Sequence, residues 1–217
     1  MKLSTIFLVI LVVILVYTVL QFASSSKTNL TNVMNDAQSA VTISADDLPA
    51  GNTSNNYSYS IWFYINDWNQ NYGQPKIIFA RKDSDGNQSP SVVLGDFENN
   101  LNITVSVYPD KNTPAGSGGV SPTHTCNIDN VPLQKWVNLI VSLNGRSLDV
   151  YLDGKLVRTC VLPGVAKVDP KADIYLTPNG GFDGFTSKFQ FIADSVNPQQ
   201  AYSIYKEGYG GGGLGGM

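Results

Sequence analysis

Residues 126–164, CNIDNVPLQKWVNLIVSLNGRSLDVYLDGKLVRTCVLPG, carry the strongest structural signal in the chain. They write out three short strands joined by two two-residue turns, Asn144-Gly145 and Asp153-Gly154. Both dipeptides suit type I′ turns, whose central residues take φ > 0 and whose twist matches that of paired strands. Such turns set the register. Val141 is then expected opposite Leu148, Leu139 opposite Val150, Val137 opposite Leu152 and, in the second hairpin, Val150 opposite Val157. All seven would share one face. Asn138, Ser142, Asp149, Tyr151 and Arg158 would occupy the other, with Asp149 across from Arg158. One apolar and one wet face predict an antiparallel sheet packed on a second layer.

The rest of the chain continues the pattern. Val41–Ser44, Tyr57–Ile65, Lys76–Arg81, Ser91–Gly95, Leu101–Tyr108, Ala172–Thr177 and Ser187–Ala193 read as strands separated by turn residues. In Tyr57–Ile65 the residues Tyr57, Tyr59, Ile61, Phe63 and Ile65 alternate onto one face. Asn197 and Pro198 suit the cap and first position of a short helix near the end. Many short strands with so little helix predict a sandwich or jelly roll.

At this point the residues resemble a known family. YSYSIWFYINDW, KIIFARKD, the meander and GGFDGFTSKFQFIADSVNPQQAYSIYKEG are similar to the concanavalin A-like, laminin-G-like jelly roll. Trp136, Tyr151–Lys155, Gly181–Gly184 and Pro198–Tyr205 occupy its Trp-led strand, Y-x-D-G-K hairpin, G-F-x-G strand and short helix. The resemblance implies an all-β sandwich of two antiparallel sheets over residues 40–208. The domain style, with one N-terminal span and a glycine-rich end, also resembles membrane proteins of large DNA viruses.

Ahead of that domain, Leu3–Ser26 carries no charge. As a helix it reaches roughly 36 Å, enough for a ~30 Å hydrocarbon core. Residues 1–26 are therefore expected to be a transmembrane signal-anchor holding the chain to a lipid bilayer through residues 3–26. A cleaved signal peptide is the alternative, although Gln21-Phe22-Ala23 matches its cleavage pattern poorly. Lys2 favours a cytoplasmic N-terminus and a translocated, exoplasmic domain, on a cell or virion membrane. Residues 27–39 read as a polar stalk and 209–217 as a mobile glycine-rich tail. The two cysteines, Cys126 leading into the meander and Cys160 ending its third strand, suit a disulfide in such a compartment, two separate thiols being the alternative. N-x-S/T triplets mark Asn29, Asn52, Asn56, Asn87 and Asn102 as glycosylation candidates, a pattern that an Asn- and Ser-rich chain also generates by chance.

The net charge of −3 and pI near 5 leave no basic surface for nucleic acid. Glycosidases of the resembled superfamily carry a motif like E-x-D-x-x-E, whereas Glu98 and Glu207 are the only glutamates here and neither sits in it. Glu98 and Asp96 would share a face only if GDFENN were a strand, and a loop is the simpler reading. His124 is the only histidine and no nucleophile elbow accompanies it. No catalytic residue is assigned, and glycoside hydrolysis is the third-ranked function. Calcium is the one cofactor the pattern admits, through Asp83, Asp85 and Asn87 in DSDGN, with Asp96 and Asp183 as outside ligands. An ordinary hairpin turn has the same composition. For sugars, the 66–73 loop offers Trp68 and Tyr72 as stacking surfaces and Asn69 and Asn71 as hydroxyl readers, unless Trp68 folds back as a lid on the core. The third class is structural: Tyr57, Tyr59, Tyr64, Tyr151, Tyr202, Tyr205 and Tyr209 suit an interface if exposed. The leading expectation is a non-catalytic, membrane-anchored docking protein, a minor capsid or membrane component of a large DNA virus particle, contacting neighbouring structural proteins. A surface lectin binding glycans through the 66–73 loop is the alternative.

Overall fold

The computed structural model describes residues 7–8, 10–16, 27–32, 34–49, 55–111, 114 and 121–210. Their strands are β1 (Lys27–Thr31), β2 (Asn35–Asp36), β3 (Val41–Ile43), β4 (Tyr57–Asp67), β5 (Lys76–Lys82), β6 (Gln88–Leu94), β7 (Leu101–Ser106), β8 (Thr123–Ile128), β9 (Trp136–Asn144), β10 (Ser147–Leu152), β11 (Lys155–Val161), β12 (Ile174–Leu176) and β13 (Asp183–Ile192). Helix α1 (Pro198–Lys206) follows. One antiparallel sheet has the order β1-β13-β4-β9-β10-β11, with β2 also on β13. The other runs β3-β12-β5-β6-β7-β8. The predicted all-β sandwich is present.

Its interior follows from alternation. Tyr57, Tyr59, Ile61, Phe63 and Ile65 of β4 are all buried, because every second side chain of a strand points to one face. They meet Phe79, Val92, Leu94, Ile103 and Val105 from the opposite sheet in one core. Aromatic contacts cross the layer: Phe79 of β5 lies 5.3 Å from Tyr59 of β4 and 4.9 Å from Phe189 of β13, centroid to centroid. Burying each such side chain contributes about 1.5–3 kcal/mol. At one end of the core the buried Arg81 guanidinium donates to Tyr59 Oη at 3.3 Å and to the carbonyls of Ala172 and Pro170 at 3.0 and 3.2 Å.

In the meander the register differs from the predicted one by two residues. Leu143 pairs with Leu148, Val141 with Val150 and Leu139 with Leu152. The reason is the turn: Asn144 still pairs with Ser147, so Gly145 (φ 58) and Arg146 are its central residues. A two-residue shift keeps each side chain on its expected face. The second turn is as expected, with φ of 49 at Asp153 and 72 at Gly154. Beyond it a bulge sets Val150 opposite Arg158 and Asp149 opposite Thr159. Val157 therefore leaves the core and is 45% exposed, correcting both its expected burial and the Asp149–Arg158 pairing.

The expected wet face is largely covered. Asn138, Ser142 and Tyr151 are buried because α1 and the chain on either side of it lie over that face. Ile140, Tyr151, Ile192, Val196, Ala201 and Ile204 form a second small apolar cluster there. Ser142 Oγ accepts from Val196 N at 3.0 Å, and Asn138 Nδ2 donates to Ser60 Oγ at 3.2 Å. The helix starts as expected: Asn197 accepts from Gln200 N, Gln200 reciprocates, and Pro198 opens the first turn. Trp62 stacks on Tyr205 with centroids 5.5 Å apart. Trp62 and Trp136 thus pack structurally.

The expected boundaries also move. Residues 27–39 are not a free stalk, since β1 and β2 pair with β13. These polar edge segments lack apolar alternation, and backbone pairing with Leu30 packed on the core holds them. Tyr209, placed in the tail, packs on Trp136 and Trp62. Residues 211–217 lie outside the described residues. Cys126 belongs to a strand of its own, β8, and forms a disulfide with Cys160 of β11. Each of those strands ends its sheet, so the bond joins the two layers at one edge. At the N-terminus, residues 10–16 are helical and among the described residues no helix is long and apolar enough to cross a membrane. Residues 1–6, 9 and 17–26 of the expected span lie outside the description.

Candidate functional site

Three connections form a cleft at one end of the sandwich: β4–β5 (68–75), β6–β7 (95–100) and β8–β9 (129–135). A fourth, β12–β13, braces the first of them through Asn71 Nδ2, which donates to Gly181 O at 3.0 Å. Local bonds hold each loop. Asp67 Oδ1 accepts from Asn69 N at 3.1 Å and both its oxygens accept from Asn69 Nδ2 at 3.0 Å. These bonds, the backbone one first, keep the Asp67 carboxyl below the usual carboxylate range. Gly73 (φ 76) donates its N–H to Asp96 O at 3.0 Å, tying the first loop to the second. Asn99 and Val131 exchange two bonds, Val131 N to Asn99 O at 2.7 Å and Asn99 Nδ2 to Val131 O at 3.0 Å, tying the second to the third. The scaffold is therefore braced before any ligand arrives, which lowers the ordering cost of binding.

The cleft encloses about 470 Å³ between Trp68, Phe97, Glu98, Asn99, Asn100, Asn130 and Leu133. Two large apolar side chains face solvent in this largely polar lining. Phe97 is 64% exposed and Leu133 42%. Tyr72, 61% exposed, stands edge-on to Phe97 with centroids 5.5 Å apart. Beside these surfaces sit Glu98, whose Oε2 accepts from Asn100 Nδ2 at 2.9 Å, and the exposed Asn130. Exposed rings beside amide and carboxylate groups offer stacking for an apolar sugar face and hydrogen bonds for its hydroxyls.

Beneath the cleft lies a buried cation. Lys76 is fully buried, its Nζ donates to Asp96 O at 3.2 Å, and it sits 4.8 Å from the centre of the Trp68 ring. Burial holds its ammonium below the ordinary lysine value, while the Asp96 charge works in the opposite direction. Trp68 is half-buried and packs on the core, with its indole N–H buried and lacking an acceptor. It is the lid over Lys76 rather than a free platform.

Of the expected sugar site, then, Tyr72 is exposed beside the cleft, against Phe97, and Trp68 forms part of the cleft wall. Asn69 and Asn71 use their amides to hold the loop. Phe97, Asn99, Asn100, Asn130 and Leu133 escaped the sequence reading. In GDFENN the sequence draws attention to its carboxylates, as a pair or, at Asp96, as an outside calcium ligand, although the ring flanked by amide and acid groups is the signal for this site. Asp96 and Glu98 sit in a loop, so no strand places them on one face.

The calcium set does not converge. Asp83 Oδ1 accepts from Asp85 N and Asn87 N at 3.0 and 2.7 Å, and its Oδ2 from Asn87 Nδ2 at 2.7 Å. Burial disfavours the Asp83 charge, but these bonds and then the Lys167 charge prevail and hold its carboxyl below the usual range. This is a turn organised by its own first residue. Asp96 and Asp183 lie at the opposite end of the strands, since Lys76 pairs with Leu94 and Asp183 with Asp67. Among the described residues no group of three or more His, Cys, Asp or Glu is placed to hold a metal. Beside the Asp83 turn is a second depression of about 370 Å³, lined by Lys82, Asp83, Asp169, Lys171, Asp173 and Tyr175 among others. Like Asp83, its other two carboxylates are committed to backbone: Asp173 accepts from Ala45 N and Asp169 from Lys171 N, each at 2.8 Å.

The sequons fall in varied settings. Asn29 is exposed on β1 and its Oδ1 accepts from Gln190 Nε2. Asn56 Oδ1 accepts from Gly145 N, Asn87 is bonded to Asp83, and Asn102 is half-buried on β7. Asn52 lies outside the described residues. Tyr57, Tyr59 and Tyr151, suited to an interface only if exposed, are buried instead: Tyr57 and Tyr59 on the core face of β4, and Tyr151 in the small apolar cluster under α1.

Comparison with known proteins agrees with this architecture. A laminin-G family model described as "Concanavalin A-like lectin/glucanases superfamily" matches residues 35–200. No curated protein matches the chain. Among solved structures, the botulinum neurotoxin serotype D ligand binding domain in complex with N-acetylneuraminic acid superposes with a TM-score of 0.58 at 13% identity, covering 83% of this chain and 42% of that one. The binding domain of botulinum neurotoxin DC in complex with SialylT gives 0.55 at 15% identity, covering 82% and 45%. The serotype G binding domain gives 0.53 at 13% identity, covering 81% and 46%. This chain spans less than half the length of those three.

Proposed function

The chain belongs to the Concanavalin A-like lectin/glucanases superfamily, and from that membership we propose that it is a non-catalytic glycan-binding module whose site is the cleft between the 68–75, 95–100 and 129–135 loops. One observation carries the reading: Phe97 and Leu133 are solvent-facing on braced loops and line a single cleft with Glu98, Asn100 and Asn130, while the exposed Tyr72 stands edge-on to Phe97 beside it. A soluble surface that strands such apolar area needs a partner to cover it. The glycan complexes of the neurotoxin domains support a sugar as that partner, with the fold as the only shared ground. The anchor belongs to the same proposal. The uncharged run Leu3–Ser26 and the uncovered apolar side chains of helical residues 10–16 support display of the domain on a membrane.

The test is a glycan array probed with the full chain in a detergent that contains no sugar. Specific glycans are retained by the native protein and lost at least tenfold on Phe97→Ala, since stacking and cleft shape go together. Retention unchanged by Phe97→Ala moves the site elsewhere.

A structural docking role, in a membrane-containing particle such as that of a large DNA virus, is the second reading. It is favoured by edge strand β11, where Leu156, Val157 and Val161 are uncovered and Val161 is 70% exposed. An open apolar edge invites an added strand. Crosslinking on intact membranes, with neighbours captured through Lys155, supports this role, and crosslinks confined to other faces count against it.

A further inference from the structure

We infer that the cleft takes uncharged glycans and rejects those ending in an anionic sugar, including sialylated ones. This rests on the glycan-binding reading above and concerns the charge of the occupant, which the fold does not fix.

The charged groups on the cleft loops and the strand ends that bear them are Asp67, Lys76, Asp96, Glu98, Asp129, Lys135 and Asp183. Carboxylates dominate, and Asp67, Asp96, Glu98 and Asp129 are exposed. Both ammonium groups already have protein partners. Lys76 is sealed beneath Trp68 and its charge is balanced by Asp96. Lys135 forms an ion pair with Asp153, Nζ to Oδ2 at 2.9 Å. A sugar carboxylate entering the cleft would meet Glu98, which lines it, whereas neither lysine does and each is already paired. Low-dielectric walls such as Trp68, Phe97 and Leu133 focus that field toward the opening. Hydroxyl groups meet the opposite situation. Glu98 and the exposed Asn130 amide carbonyl can accept from them, and the Asn130 amide N–H groups can donate in return, while Asn100 holds the Glu98 carboxylate in place.

The consequence is a sign of selectivity opposite to that of the sialic acid complexes noted for the neurotoxin domains. An array carrying each glycan in sialylated and desialylated form separates the outcomes. The full chain is probed at low and high salt. The inference predicts that desialylated glycans are held at least tenfold more tightly at low salt. It also predicts that the gap narrows at about 0.5 M salt, where screening acts within a few ångströms. Glu98→Gln should narrow the gap at low salt as well, by relieving the rejection of the sialylated member. Equal or tighter retention of sialylated glycans overturns the inference and leaves the glycan-binding reading standing. If no glycan of either form is held, the reading itself fails and this inference falls with it.

Discussion

Trp136 of β9 and Tyr209 of the chain after α1 stack with ring centroids 4.7 Å apart and planes within 5° of parallel. Ser187 Oγ donates to Tyr209 O at 2.6 Å and fixes the same segment. Through this pair the C-terminal chain closes over the outer face of the larger sheet, which would otherwise present Trp62 and Trp136 to water.

Removing that closure has a measurable cost. Tyr209→Ala should lower stability by about 1–2 kcal/mol, combining lost ring contact with exposed indole surface. Urea denaturation followed by tryptophan fluorescence should show a lower midpoint. A midpoint equal to that of the native chain would mean the stack is ornamental.

The disulfide supplies a second prediction. Because Cys126 and Cys160 lie on the terminal strands of opposite sheets, breaking the bond frees one edge of the sandwich. With the two cysteines 34 positions apart, the chain-entropy model puts the loss at about 3–4 kcal/mol. Thermal unfolding of the Cys126→Ala/Cys160→Ala double variant should shift down by that equivalent, and added reductant should not lower it further. A reductant effect persisting in the double variant would show another cause.

Acid should act through the Asp83 turn. Its carboxyl is held below the ordinary range in the folded state, so the stability it contributes is fully present above the unfolded carboxylate value. That contribution disappears as pH falls through the depressed folded value. Asp83→Asn should therefore be less stable than the native chain at neutral pH and converge toward it in acid. Parallel melting curves across the whole range would refute the linkage.

The sandwich was legible in the sequence because alternation and turn residues act locally. Tyr57–Ile65 shows its buried face without any knowledge of the partner sheet. The finer errors came from forces the local pattern does not contain. Gly145-Arg146 rather than Asn144-Gly145 centres the first turn, and a bulge at Val150 turns Val157 outward. Asn138, Ser142 and Tyr151 looked solvated until a distant helix covered them. Lys27–Thr31 has no apolar rhythm, and its strand exists through pairing with β13. The cleft was half legible for a related reason. Tyr72 stood out in an aromatic, amide-rich loop. Phe97 and Leu133 became site candidates only when folding brought the ends of β6 and β8 beside it.

Hydrogen–deuterium exchange on the full chain, with and without a glycan retained on the array, locates the binding surface. The account predicts added protection in residues 95–100 and 129–133, extending to 68–73, and none in 83–87 or 169–175. Protection confined to the Asp83 and Asp169 depression, or spread along β11 alone, would contradict it.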